Sequence, residues 1–127
     1  MNLAEYFDNT QGYGVLSTAD NAGKVNAAMY ARPHFIDDNT VAFIMLERLT
    51  HANLQENPYA AYLFLENGPG YKGKRLYLKK IREEENDDWV KELCRRCDYS
   101  AHRKQLTRHV VFFNVEKILP LVGAGQP

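Results

Sequence analysis

Two short apolar runs, Val41–Leu46 (VAFIML) and Ala60–Leu65 (AAYLFL), constrain this chain more than any other feature. Each is apolar at every position rather than at alternate ones, so each reads as a strand covered on both faces. Neither approaches the roughly 18 residues that a membrane-spanning helix needs. Between them Thr50 reads as a helix N-cap, with Asn53 three residues on. Asn57-Pro58 stops the helix, because the residue before proline disfavours the helical region. A helix starting at Thr50 aims its free backbone N–H groups at the space beside Arg48, which is an anion site in outline.

Upstream, Leu3, Tyr6 and Phe7 have helical spacing, giving a short amphipathic opener over Leu3–Asn9 that Gln11–Gly14 breaks. Val15–Thr18 is a brief strand and Asp20-Asn21-Ala22-Gly23 a turn, so a hairpin joins GVLSTA to KVNAAMYARPHFI. In the second strand Val25, Ala27, Met29 and Ala31 share an apolar face that reads as core. Asn26, Ala28, Tyr30, Arg32 and His34 share the other, mixed and small at its start, with room for a flat ligand. Pro33 marks a bulge or a sheet edge, and Asp37-Asp38-Asn39 turns into the first apolar run.

Downstream, the loop ENGPGYKGK precedes a strand over Leu76–Ile81, with Leu76 and Leu78 on one face and Tyr77 and Lys79 on the other. The acidic segment Glu83–Asp88 caps a helix through Asp87 or Asp88. Trp89, Val90, Leu93, Cys94 and Cys97 form its apolar stripe. His102–Arg108 is basic and irregular, and His109–Leu121 is the last strand. About six short strands with flanking helices, rich in tyrosine and phenylalanine, predict a mainly β domain built as a six-stranded barrel. Closure is the usual way to bury strands on both faces at this size.

With 127 residues and neither a repeat nor a linker, residues 1–127 read as a single domain. A net charge of zero argues against nucleic acid and membrane surfaces as partners. The N-terminal MNLAEYFDNTQGYG lacks the basic and apolar regions of a signal peptide, so a soluble, cytoplasmic protein is expected. Two cysteines do not make a disulfide framework. Cys94 and Cys97 sit on the apolar stripe of their helix and read as buried small hydrophobes. With only His102 and His109 near them in sequence, no metal site is expected. The basic run from Lys72 to Arg82 is followed by Glu83, Glu84 and Glu85, and reads as a lysine-protected strand edge.

The best candidate for chemistry is the junction Glu47-Arg48-Leu49-Thr50-His51. Arg48 offers a planar fork suited to phosphate, Thr50 a hydroxyl, and His51 a further donor when protonated. His34, just after Pro33, has no partner in sequence that would make a catalytic pair.

The segments GVLSTADNAGKVNAAMY, THANLQENPYAAYLFL and NGPGYKGKRLYL, in this order, resemble the flavin-binding split-barrel family related to pyridoxamine 5′-phosphate oxidase. The resemblance covers roughly residues 10 to 81, and the final strand VVFFNVEKILPL also fits. It implies a six-stranded split β-barrel of Greek-key type, a homodimer, and FMN held between subunits. It implies phosphate contacts from Arg48, Thr50 and the Leu49 backbone. Asn26, Ala27, Ala28 and Met29 would then lie along the flavin ring or ribityl chain, with Met45, Leu46 and Glu47 at the adjoining strand end. Many members carry a lysine or second arginine where this chain has Leu49 and Thr50. That departure implies weaker phosphate binding or a basic residue from the second subunit. The authentic oxidases are longer and end in a basic substrate-binding segment, whereas this sequence ends LVGAGQP, so vitamin B6 chemistry is not expected.

The resulting expectation is a flavin-dependent oxidoreductase or electron carrier acting on a small substrate, with no assigned catalytic acid or base. The alternatives are a related barrel that binds deazaflavin or haem, and a ligand-free interaction module.

Overall fold

The turn Asp20–Gly23 forms as its residue types dictate. Asp20 Oδ1 accepts hydrogen bonds from the backbone N–H groups of Ala22 (2.8 Å) and Lys24 (2.9 Å). Gly23 takes a φ of 84° that a side chain would resist. In this computed structural model, which describes residues 2–85 and 108–123, the turn joins β1 (Gly12–Ala19) to β2 (Val25–Met29). The helix α1 (Leu3–Asn9) precedes them, its start capped by the Asn2 side chain. There follow β3 (His34–Phe35), β4 (Thr40–Leu46), α2 (Leu49–Glu56), β5 (Tyr59–Glu66), β6 (Gly73–Glu84) and β7 (Arg108–Pro120).

The strands make one antiparallel sheet in the order β2-β1-β5-β6-β7-β4-β3. Among the described residues it has seven strands rather than six, and it is not closed. The extra strand arises because KVNAAMYARPHFI does not run as one element. Pro33 has no N–H to donate and is buried, and the chain leaves β2 after Met29 to form β3 two residues long. These consecutive strands are the two edges of the sheet, so the expected edge at Pro33 is present and the covalent chain itself spans the open seam.

The sheet curves round a core that includes Phe43, Tyr62, Phe64, Leu76, Leu78, Val111 and Phe113, and Phe7 of α1 packs into it. Phe7 meets Phe64 edge-on at 4.9 Å between ring centroids. The run in β4 is largely buried on both faces as expected. The run in β5 is not. Ala60, Tyr62 and Phe64 are buried, whereas Leu63 and Leu65 are exposed on the outer face. Leu76 and Leu78 point inward and Tyr77 outward, as their alternation predicts.

The faces of β2 are the reverse of the expectation. Val25 is 83% exposed and Met29 64% exposed, while Asn26, Ala28 and Tyr30 turn inward. Pairing explains this: Asn26 stands opposite Thr18 and Ala28 opposite Leu16, and both partners are buried. The inner face of β2 is therefore filled by α2 and by Tyr30, whose ring packs edge-on against Phe43 at 6.0 Å.

Residues Glu83 and Glu84 end β6 and do not cap a helix. Asp87 and Asp88, the stripe from Trp89 to Cys97, and His102 lie outside the described residues. Among the described residues no helix is long and apolar enough to cross a membrane.

Candidate functional site

The helix α2 starts slightly earlier than the sequence suggests, with Arg48 rather than Thr50 at the N-cap. Threonine would cap by accepting from the first turn, but the Thr50 hydroxyl is buried and used elsewhere. Its Oγ1 accepts a hydrogen bond from Asn26 Nδ2 at 3.2 Å. The Tyr30 phenol also meets it: burial raises the Tyr30 pKa, and the hydrogen bond with Thr50 partly offsets that. One turn further, Asn53 Nδ2 donates to Thr18 Oγ1 at 3.1 Å inside the protein. These polar pairs fix α2 across β1 and β2. The C-terminus follows the expectation, with Asn57 at the C-cap and Pro58 after it.

Arg48 contributes no side-chain cap, and no other side chain among the described residues caps the helix. The first-turn N–H groups of α2 thus keep the donor character of a helix start, beside the exposed Arg48 guanidinium. Thr50 and Asn26 flank this corner from within, and Leu49 is 58% exposed beside it. Ala27 and Met29 lie on the outer face of the sheet, Ala28 on the inner face, and Leu46 is half-buried at the end of β4. Met45 is buried in the core and is closed off from this corner.

His51 and Glu47 are drawn into a second group of side chains. The His51 ring stacks on the His109 ring with centroids 4.0 Å apart. Its Nε2 lies 2.8 Å from Glu83 Oε2, and His109 Nδ1 lies 3.2 Å from that same oxygen. His109 Nε2 lies 3.0 Å from Glu47 Oε1. The other Glu83 oxygen accepts hydrogen bonds from Gln55 Nε2 (2.7 Å) and Lys80 Nζ (2.5 Å). Burial works to raise the Glu83 pKa, but bonds from His51, Lys80 and Gln55 and the Lys80 charge outweigh it. The carboxyl is held down at about 2.

Sequence reasoning missed this group. Part of it was within reach, because His109 alternates with Val111 and Phe113 and so belongs on the inner face of β7. The rest depends on a bulge. In β6, Lys80 pairs with Phe113 and Arg82 with Phe112, which leaves Ile81 as an extra residue. The bulge shifts the alternation by one, turning Glu83 toward His109 and placing Arg82 over the Phe112 ring at 3.8 Å.

No protein-family model and no curated protein matches the sequence. Solved structures do match the fold. An FMN-binding protein from Syntrophomonas wolfei subsp. wolfei is 22% identical, with a TM-score of 0.78 over 96% of this chain and 85% of that one. An F420 reductase is 17% identical, with a TM-score of 0.68 over 94% of this chain and 98% of its own. A pyridoxamine 5′-phosphate oxidase candidate from Lactobacillus delbrueckii is 16% identical, with a TM-score of 0.67 over 91% and 88% of the two chains. At these identities the likeness is one of fold. The chain has the split-barrel fold shared by FMN-binding and pyridoxamine 5′-phosphate oxidase-like proteins.

Proposed function

We propose that this chain binds FMN and serves as a flavin-dependent oxidoreductase or electron carrier acting on a small substrate. The observation that carries the reading is the uncapped start of α2 beside Arg48, set in a fold shared with an FMN-binding protein. Helix-start N–H groups and a planar guanidinium suit a phosphate dianion. In this reading Arg48 and the backbone N–H groups of Leu49 and Thr50 hold the phosphate, and Ala27 and Met29 line the ring on the exposed face of β2. When bound, the isoalloxazine supplies the redox chemistry, while the residues of this chain supply position and electrostatics.

The exposed outer face supports a homodimer. Val15 pairs with both Met29 and Leu63, and Tyr13 pairs with Leu65, so these side chains share one face across β2, β1 and β5. Tyr13 is 63% exposed and Leu63 39% exposed, forming an apolar surface of the kind a second subunit covers. A flavin on Ala27 and Met29 would lie at the rim of that interface.

The fold match to an F420 reductase supports a second reading, a deazaflavin in place of FMN. Titration of the purified chain with FMN and with a deazaflavin separates the two. FMN binding that weakens at least tenfold in Arg48→Ala supports the first reading; binding of the deazaflavin alone supports the second.

A further inference from the structure

His109 is 3% exposed, and its Nδ1 is buried with no hydrogen bond among the described residues although Glu83 Oε2 stands 3.2 Å away. A buried nitrogen this close to a carboxylate with no hydrogen bond calls for a partner that the two could share. The other contacts of the ring show which kind. A neutral imidazole carries one N–H, and Glu47 Oε1, an acceptor when ionised, sits 3.0 Å from Nε2. With the proton on Nε2, the Nδ1 lone pair is left without a donor close to the Glu83 oxygen. Two electron-rich atoms then lie side by side, and His51 Nε2 joins them at 2.8 Å from that oxygen.

We infer that His51 Nε2, Glu83 Oε2 and His109 Nδ1 are ligands of a first-row divalent metal ion, with Zn²⁺ as the representative case. The three atoms all lie within 4.8 Å of one another. Two imidazoles and one carboxylate form a donor set that suits Zn²⁺ and leaves at least one position open. The supporting bonds are those that a metal site uses. Glu47 accepts from the far nitrogen of His109, which fixes the tautomer and the ring. Gln55 and Lys80 hold Glu83 Oε1, which leaves Oε2 for the ion. Among the described residues that pair within this group, the carboxylates Glu47, Glu83 and Glu85 outnumber the single cation Lys80 when the imidazoles are neutral.

Ligation changes one feature of the present arrangement. The rings are stacked at 14° between planes, so their lone pairs lie in nearly parallel planes and do not converge. Binding therefore parts the rings, and the His51 side chain, on the first turn of α2, is the one that swings, since His109 is held inside the sheet.

The test uses the full chain stripped of metal and titrated with Co²⁺ and with Zn²⁺. The expected result is one Co²⁺ per chain with a visible d–d band that Zn²⁺ abolishes, and a melting temperature that rises with Zn²⁺. His51→Ala and Glu83→Gln each weaken Co²⁺ binding by about tenfold or more, and so does Glu47→Gln, which touches no metal. Arg48→Ala keeps the metal, so loss of flavin and loss of metal are separable. The inference is overturned if the folded wild-type chain gives no Co²⁺ band and no Zn²⁺-dependent shift in melting temperature. It is equally overturned if the band persists at full strength in both His51→Ala and Glu83→Gln. Circular dichroism confirms that each variant is folded, and the wild-type titration decides the matter if one is not.

Discussion

Asn26 on edge strand β2 donates its side-chain amide to the Thr50 hydroxyl in the first turn of α2, across 3.2 Å. This bond joins the two elements that flank the proposed phosphate corner, and it explains why a threonine placed like a cap does not cap. Replacing Asn26 by Ala removes the donor and leaves the Thr50 hydroxyl with Tyr30. The variant should lose about 1 kcal/mol of stability, read as a lower urea midpoint at unchanged slope. FMN affinity should fall with it, because the start of α2 is no longer tied to β2.

Gly14 lies where β1 passes over Tyr62. A Cβ on Gly14 would sit 1.8 Å from the Tyr62 hydroxyl oxygen and 2.3 Å from Cζ. Tyr62 is fully buried, and its hydroxyl donates to the Tyr30 carbonyl at 3.2 Å, so the ring has nowhere to go. Gly14→Ala should cost about 1–3 kcal/mol by overpacking. The double variant Gly14→Ala with Tyr62→Phe should recover part of it, because the hydroxyl is the nearest obstacle. Chemical denaturation of the two variants checks this.

Phe43 touches Tyr30, Tyr62 and Phe113 through ring contacts at 6.0, 5.2 and 5.8 Å between centroids. It bridges β4 and β7 to the far side of the barrel. Phe43→Ala should cost about 3–5 kcal/mol and bring thermal unfolding down steeply.

The Glu83 carboxyl is held at about 2, below its ordinary value of 4.5. A depressed carboxyl contributes stability that is fully present above its unfolded pKa and is lost as pH falls toward the folded one. Stability should therefore decline between about pH 4.5 and pH 2 as the bonds to His51, Gln55 and Lys80 compete with protonation. Glu83→Gln should be less stable than wild type at pH 7, and the gap should narrow over that window. Unfolding free energies of both proteins at a series of pH values test the sign.

If the outer face is a subunit interface, a charge placed on it should separate the subunits. Leu63→Glu should elute as a monomer in size-exclusion chromatography, with near-wild-type circular dichroism, since Leu63 lies outside the core. A wild-type chain that is itself monomeric at micromolar concentration would contradict the interface.

Much of the frame could be read directly from residue pattern. The opener Leu3–Asn9, the Asp20–Gly23 turn, the stop at Asn57-Pro58, the inward Leu76 and Leu78, and the last strand all follow from local chemistry. What escaped depended on long-range pairing. Apolar character cannot say which face of β2 is inside when the outer face is also apolar; pairing of Asn26 with Thr18 decides it. Thr50 looked like a cap because its partner, Asn26, lies 24 positions away. Arg48, Leu49 and Thr50 could be placed at one corner from sequence, whereas His51 was read as part of that corner and turns toward Glu83. The bulge at Ile81 that aims Glu83 has no marker such as glycine in the sequence, so the histidine–glutamate group stayed hidden until β6 and β7 were paired.

The central claim is that the start of α2 holds the phosphate of a flavin. Titration of FMN with the purified chain, followed by quenching of flavin fluorescence at micromolar concentrations, tests it most directly. The account predicts saturable quenching at one FMN per chain, weakened at least tenfold in Arg48→Ala while riboflavin, which lacks the phosphate, binds equally to both proteins. No quenching by the folded wild-type chain, or equal FMN affinity in wild type and Arg48→Ala, would contradict it.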